Sequence, residues 1–292
     1  MRLQRKDEMY SIKTINIMDI DDFKNHPYRI EYDEEMELLI ESIRRNGLIT
    51  PLVVRKKEGD RYEMISGHRR KRALEALMMY NVDAYIYDLS DDVATIMMVD
   101  SNLHRENILI SEKAFAYRMR YDAMKHQGRT SGHNVPKKHT ADEIGAIYGE
   151  SGRTIKRYIR LTYLIPELLD LVDNKYSYEI KPILSMGLLI ATELSYLTKE
   201  EQKLLYNTIQ YEQATPNITQ AKKIRYLSER KRLDFDTLEE ILTSLKPNQK
   251  ERFWFYKDRI EKELPKELKN KTKEEIEKYI IEAIKEYRKN KR

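Results

Sequence analysis

The octapeptide Ser66-Gly67-His68-Arg69-Arg70-Lys71-Arg72-Ala73 constrains the chain more than any other stretch. The alternating residues 61–65 precede it and predict a strand, and residues 74–77 follow it and predict a helix. A glycine at a strand-to-helix corner lets a ligand approach the backbone, and the helix start offers unpaired N–H groups to an anion. Arg69 and Arg70 add charged donors that suit phosphate oxygens. The corner is therefore a candidate phosphate cradle. A plain helix start with solvated basic residues accounts for the same eight residues, and the local sequence leaves both readings open.

The 292 residues leave room for two or three domains, and 40% hydrophobic content supports a core. A net charge of +5 permits nucleic acid as a partner without requiring it. The absence of cysteine excludes disulfides, thiol catalysis and cysteine-ligated zinc. Residues 1–8 lack the apolar core of a signal peptide, and no apolar run approaches the roughly 20 residues that span a membrane. A soluble cytoplasmic chain without membrane partners is the expectation.

On the N-terminal side, alternation over residues 11–17 predicts an early strand. Met36, Leu39, Ile40 and Ile43 mark one helix face, with Asp33 as its cap and Gly47 as its stop. Leu52-Val53-Val54 predicts a buried strand, Gly59-Asp60 a hairpin turn and residues 84–87 a further strand. A small mixed α/β domain ending near residue 90 follows. A helix is expected from Asp91-Asp92 through Met97 and Met98 to Asn107, its methionines packed in the core, and another from Ser111 to about Lys125. Residues 126–139, with two glycines and a proline, predict a basic loop whose three histidines fit no compact metal pattern.

The second informative stretch is 140–164. Thr140 caps a short helix through Tyr148 with Glu143 completing a capping box, residues 149–152 turn, and residues 153–161 form a second helix. Small Gly145, turn-forming Gly149 and inward Ile155 and Ile159 predict a helix-turn-helix, whose second helix enters the major groove. Arg153, Thr154, Lys156, Arg157 and Arg160 are left pointing away from the core, with Lys137 and Lys138 as backbone contacts. Residues 126–160 hold seven Lys/Arg against three Asp/Glu, which favours DNA over a solvated structural hairpin. Helices continue to the basic run at 230–232. Beyond 233 a charged region carries an aromatic cluster at 252–256, and its last helix aligns Ile276, Ile280, Ile284 and Tyr287 on one side.

Over residues 12–225 the chain resembles the ParB-like partition proteins, closest in character to those of plasmids and mobile elements. The residues that carry this are Pro27-Tyr28-Arg29, Tyr32-Asp33-Glu34-Glu35, the run from Gly47 to Arg55, Gly67-His68-Arg69-Arg70-Lys71-Arg72-Ala73, Asn102-Leu103-His104-Arg105-Glu106 and Glu112-Lys113-Ala114. The resemblance implies a multidomain α+β fold. A ParB/sulfiredoxin-like nucleotide-binding domain would occupy 11–110, an all-α helix-turn-helix domain 111–232, and a mainly helical charged region 233–292, serving dimerisation or a partner. It implies a DNA-binding protein of partition, segregation or maintenance of a replicon, nucleoid-associated and homodimeric, with double-stranded DNA and a ParA-like ATPase as partners. It also implies CTP with Mg²⁺. Gly67, His68, Arg69 and Arg70 match the phosphate corner, Asn102 and Arg105 the second box, and Asn102 is the one metal candidate. His68 and Ser101 stand where the family carries glutamates. Mg²⁺ prefers carboxylate oxygens, so nucleotide binding is expected without efficient hydrolysis, His68 donating to phosphate when protonated. A DNA-activated CTPase clamp and a transcriptional regulator with a scaffold-only ParB domain are the alternatives.

Overall fold

A computed structural model describes residues 10–105, 108–130, 140–174, 184–244 and 273–290. It divides into two units, Met1–Ser244 and Leu245–Arg292. In the first unit, β1 (Tyr10–Asn16), β2 (Ile20–Asp21), β3 (Leu52–Lys56), β4 (Tyr62–Ser66) and β5 (Asn81–Tyr87) form one sheet in the order β1-β5-β3-β4-β2. β1 is antiparallel to β5 and β3 to β4, while β3–β5 and β2–β4 are parallel. The short β3–β4 turn uses Gly59 at φ 70°. The longer crossovers hold α1 (Glu34–Asn46) and α2 (His68–Ala76). Asp33 caps α1 by accepting from Met36 N at 2.8 Å, and Gly47 ends it at φ 70°.

Strand alternation sends successive side chains to opposite faces of the sheet. Val54 and Met64 enter a core with Met36 and Ile43 of α1 and Leu74 of α2. Ile65 enters a different cluster, with Met98 and Val99 of α3 (Asp91–Asp100), Ala116 and Tyr117 of α4 (Ile110–Thr130), Ile144 of α5 (Thr140–Tyr148) and Ile155 of α6 (Gly152–Leu161). The sheet and the α5–α6 pair thus share buried side chains across residue 110. A third core gathers Ala114 and Leu161 with α7 (Pro166–Val172), α8 (Leu188–Leu194), α9 (Lys199–Glu212), α10 (Ile218–Glu229) and α11 (Phe235–Thr243).

Several expectations need correcting. α4 does not stop at Lys125 but runs through Thr130, so His126 and Gly128 are helical. A helical glycine costs only about 1 kcal/mol relative to alanine, too little by itself to end a helix. α3 ends at Asp100, and Ser90 is its cap. Thr140 is the first residue of α5 rather than its cap. The boundary at 233 fails because α11 buries Leu238, Ile241 and Leu242 in the same core as α9 and α10. In the second unit the helix Lys273–Asn290 holds Ile276 and Ile280 half-buried and Tyr287 exposed. The aromatic cluster at 252–256 lies outside the described residues, as do Lys137 and Lys138. Among the described residues, no helix is long and apolar enough to cross a membrane.

Candidate functional site

Two regions carry the chemistry the sequence singled out. At the β4–α2 corner Gly67 is left-handed, φ 110° and ψ 21°, and a Cβ there would sit 2.9 Å from Leu52 Cδ2. The left-handed backbone is what favours glycine here. The basic residues that follow are largely engaged by the protein itself. Arg69 Nη2 donates to Asp33 Oδ1 at 2.7 Å, and Arg70 Nη1 donates to the Pro51 carbonyl at 2.9 Å. Lys71 is buried and donates to the Ile20 carbonyl at 2.7 Å and to Asp22 at 3.0 Å. Arg72 bridges Asp22 and Glu75.

His68 is 3% exposed, its ring centroid 3.7 Å from that of His26. Neither His68 nitrogen has a hydrogen-bond partner among the described residues. Burial, with neighbouring His26 adding to it, pushes its pKa down to about 3. The expected protonated donor to phosphate is therefore replaced by a neutral, enclosed ring. Asn102 is equally enclosed, at 1% exposure, with its amide nitrogen donating to the Met98 carbonyl at 2.8 Å. Ser101 Oγ donates to that same carbonyl at 2.9 Å. Among the described residues no group of three or more His, Asp or Glu side chains is placed to hold a metal. The residues present do not fit a protein-built Mg²⁺ site with Asn102 as ligand.

Of the six nucleotide candidates, Arg69 and Arg105 come together, on a cavity of about 790 Å³ also lined by Tyr28, Arg29, Asp33 and Glu112. Arg105 lies over the Tyr28 ring, 6.0 Å from its centroid, and forms no ion pair with a described residue. Glu112 accepts from Arg29 N at 2.8 Å and so ties the start of α4 to this cavity. Reading the sequence for basic residues missed Asp33 as the partner of Arg69. Its one local signal, the α1 cap, belongs to a helix 36 residues away in sequence.

The second region is α5–α6. Glu150 N donates to the Gly145 carbonyl at 2.8 Å, and a Cβ on Gly145 would fall on the Glu150 carbonyl oxygen. Gly145 is thus demanded by the turn rather than by helix crossing. Gly149 is left-handed at φ 72°, and Gly152 packs so tightly on α5 that a Cβ would lie 3.0 Å from Asp142 N. Ser151 caps α6, accepting from Thr154 N at 3.1 Å. Ile155 is fully buried, whereas Arg153 and Lys156 are exposed and Arg157 half-buried. Arg153, Lys156 and Arg157 form no ion pair with a described residue. Arg160 departs from the expectation that it points away. It donates from Nε to Ser195 Oγ at 3.0 Å and from Nη2 to the Ser195 carbonyl at 2.8 Å.

Residues 1–103 match the ParB N-terminal domain. This N-terminal third of the chain is ParB-like. The nucleoid occlusion protein of Bacillus cereus is 33% identical over 164 residues, covering 56% of this chain and 52% of that protein. The match thus spans about half the length of this curated relative. Two solved forms of C-terminally truncated ParB from Caulobacter crescentus are more distant. The one complexed to the centromeric parS site is 16% identical, covers 75% of this chain and 99% of that one, and has a TM-score of 0.40. The one complexed with CTP-gamma-S is 19% identical, covers 68% and 99%, and has a TM-score of 0.31. The likeness to ParB rests on the sequence match over residues 1–103.

Proposed function

We propose that the chain binds a specific double-stranded DNA site through α6 and acts in DNA partition or nucleoid occlusion. The observation that carries this is the outer face of α6, where Arg153, Lys156 and Arg157 have no carboxylate partner among the described residues, on a helix held by a turn that tolerates only glycine at 145. Unneutralised basic residues on a short helix behind a tight turn suit groove entry, with phosphate contacts positioning and side chains reading base edges. The ParB N-terminal domain in the same chain, and the nucleoid occlusion relative, support the assignment. A homodimer on a two-fold site and a ParA-like ATPase partner belong to the same reading. Selection of duplexes from a random pool by the full chain tests it. One enriched motif, arranged as paired half-sites, is the expected result, and a pool that stays random refutes site-specific binding.

The cavity between Arg69 and Arg105 supports a second function, binding of a nucleotide such as CTP. Gly67 would open the corner, and the two guanidiniums would take phosphate oxygens. Phosphate must displace Asp33 from Arg69, so binding is expected to be modest. Calorimetric titration with CTP should give a measurable heat that Arg105→Ala abolishes. Equal heats for both proteins would remove the site. Hydrolysis is not part of this reading, because neither His68 nor Ser101 presents a base to the cavity.

A further inference from the structure

Arg160 lies one helical turn beyond Lys156 and Arg157, and by spacing alone it would join the DNA-facing row. Its guanidinium instead lies 4.4 Å from the Tyr163 ring centroid and 3.9 Å from that of Tyr196, while donating twice to Ser195. Ser195 is 2% exposed, so this anchor sits inside the protein. Arg225 of α10 lies 3.6 Å from the same Tyr196 ring and is held by Glu193 at 3.1 Å. The ring is thus approached by two guanidiniums, one from α6 and one from α10. Stacking while donating two hydrogen bonds to one residue needs a planar fork, which lysine cannot supply. The N-terminal end of α6 is fixed by the glycine turn. Arg160 fixes its other end.

We propose that Arg160 is a positioning residue, clamped by Ser195, Tyr163 and Tyr196, that holds α6 in register for base reading without touching DNA. This rests on the reading of α6 as the DNA-contacting helix. A phosphate contact contributes affinity to every sequence and adds about 0.9 to the slope of log K against log salt. A positioning residue alters the ratio between selected and random DNA and leaves that slope unchanged, because mispositioned side chains lose base edges first.

The test uses the full chain, a duplex selected by the unaltered chain from a random pool, and a random duplex, each titrated over a range of salt. Arg160→Lys keeps the charge and should still reduce the selected-to-random ratio at least tenfold with an unchanged salt slope. Tyr196→Leu, at a half-exposed position that leaves folding intact, should do the same, and Tyr196→Phe should restore the ratio. Three results overturn the proposal: an Arg160→Lys ratio equal to that of the unaltered chain, an Arg160→Gln slope lowered by about 0.9 as a phosphate contact requires, or parallel loss on both DNAs. The Lys156→Ala/Arg157→Ala pair separates the two levels. If it leaves selected-DNA binding intact, the α6 reading falls and the proposal with it. If it abolishes selected binding while the Arg160 and Tyr196 variants are silent, the reading stands and the proposal alone fails.

Discussion

The corner at 66–73 and the outer face of α6 are both rich in arginine and lysine, yet their charges are used differently. At the corner, Arg69, Lys71 and Arg72 each meet a carboxylate, from Asp33, Asp22 or Glu75, and Arg70 is spent on backbone carbonyls. On α6, Arg153, Lys156 and Arg157 meet none among the described residues. The contrast teaches that a run of basic residues predicts a binding surface only where the surrounding fold withholds acids. The neutralised cluster belongs to the packing of α2; the unneutralised one is free to act on a polyanion.

The largest effect that could break this contrast is on DNA. Lys156→Ala with Arg157→Ala should weaken binding to selected DNA roughly a hundredfold, near the lower end expected for two base or phosphate contacts, as read by fluorescence anisotropy. Gly145→Ala should cost about 2–3 kcal/mol by forcing a methyl group onto the turn backbone, seen as a melting temperature lower by several degrees. Random-pool enrichment should be lost in the same variant.

The third concerns the corner alone. The folded chain holds His68 near pKa 3 against an ordinary value of 6.5. Between those values the unfolded chain takes up a proton that the folded chain refuses. This contribution is intact above about pH 6.5 and is lost progressively as pH falls toward 3. At pH 5 the loss is about 2 kcal/mol. His68→Leu should flatten the dependence of melting temperature on pH between 7 and 5, and an unchanged slope would place the titrating group elsewhere. Burial also lowers the pKa of His26, so a smaller slope of the same sign should remain.

Smaller still, Lys71→Met should cost about 1 kcal/mol through the lost hydrogen bonds to Ile20 and Asp22. It should leave the salt dependence of DNA binding unchanged, which separates the corner's charges from those of α6. Arg45→Ala, removing an exposed pair with Glu41 within one helix, should leave the melting temperature within about 1 °C.

Features set by neighbours in sequence were legible before the structure. Asp33 and Gly47 bound α1, Gly59 turns the hairpin, Gly67 makes the corner, and Gly149 separates α5 from α6. Features set by distant partners were not. Arg160 finds Ser195 across 35 residues and Arg69 finds Asp33 across 36, and no local pattern marks either pair. His68 looks in sequence like a charged donor, whereas its surroundings remove that charge. Gly128 reads as a break in sequence, although α4 continues through it to Thr130. At the candidate sites, sequence names residue types but does not show which of them are already engaged by the protein.

The family match ends at residue 103, but the cluster around Ile65 and Met98 does not. Ala116, Tyr117, Ile144 and Ile155 complete it from beyond that point. A recombinant fragment cut at the sequence boundary would therefore present a raw apolar patch to water and self-associate. One cut after Ser244 would retain every element that lines the cluster.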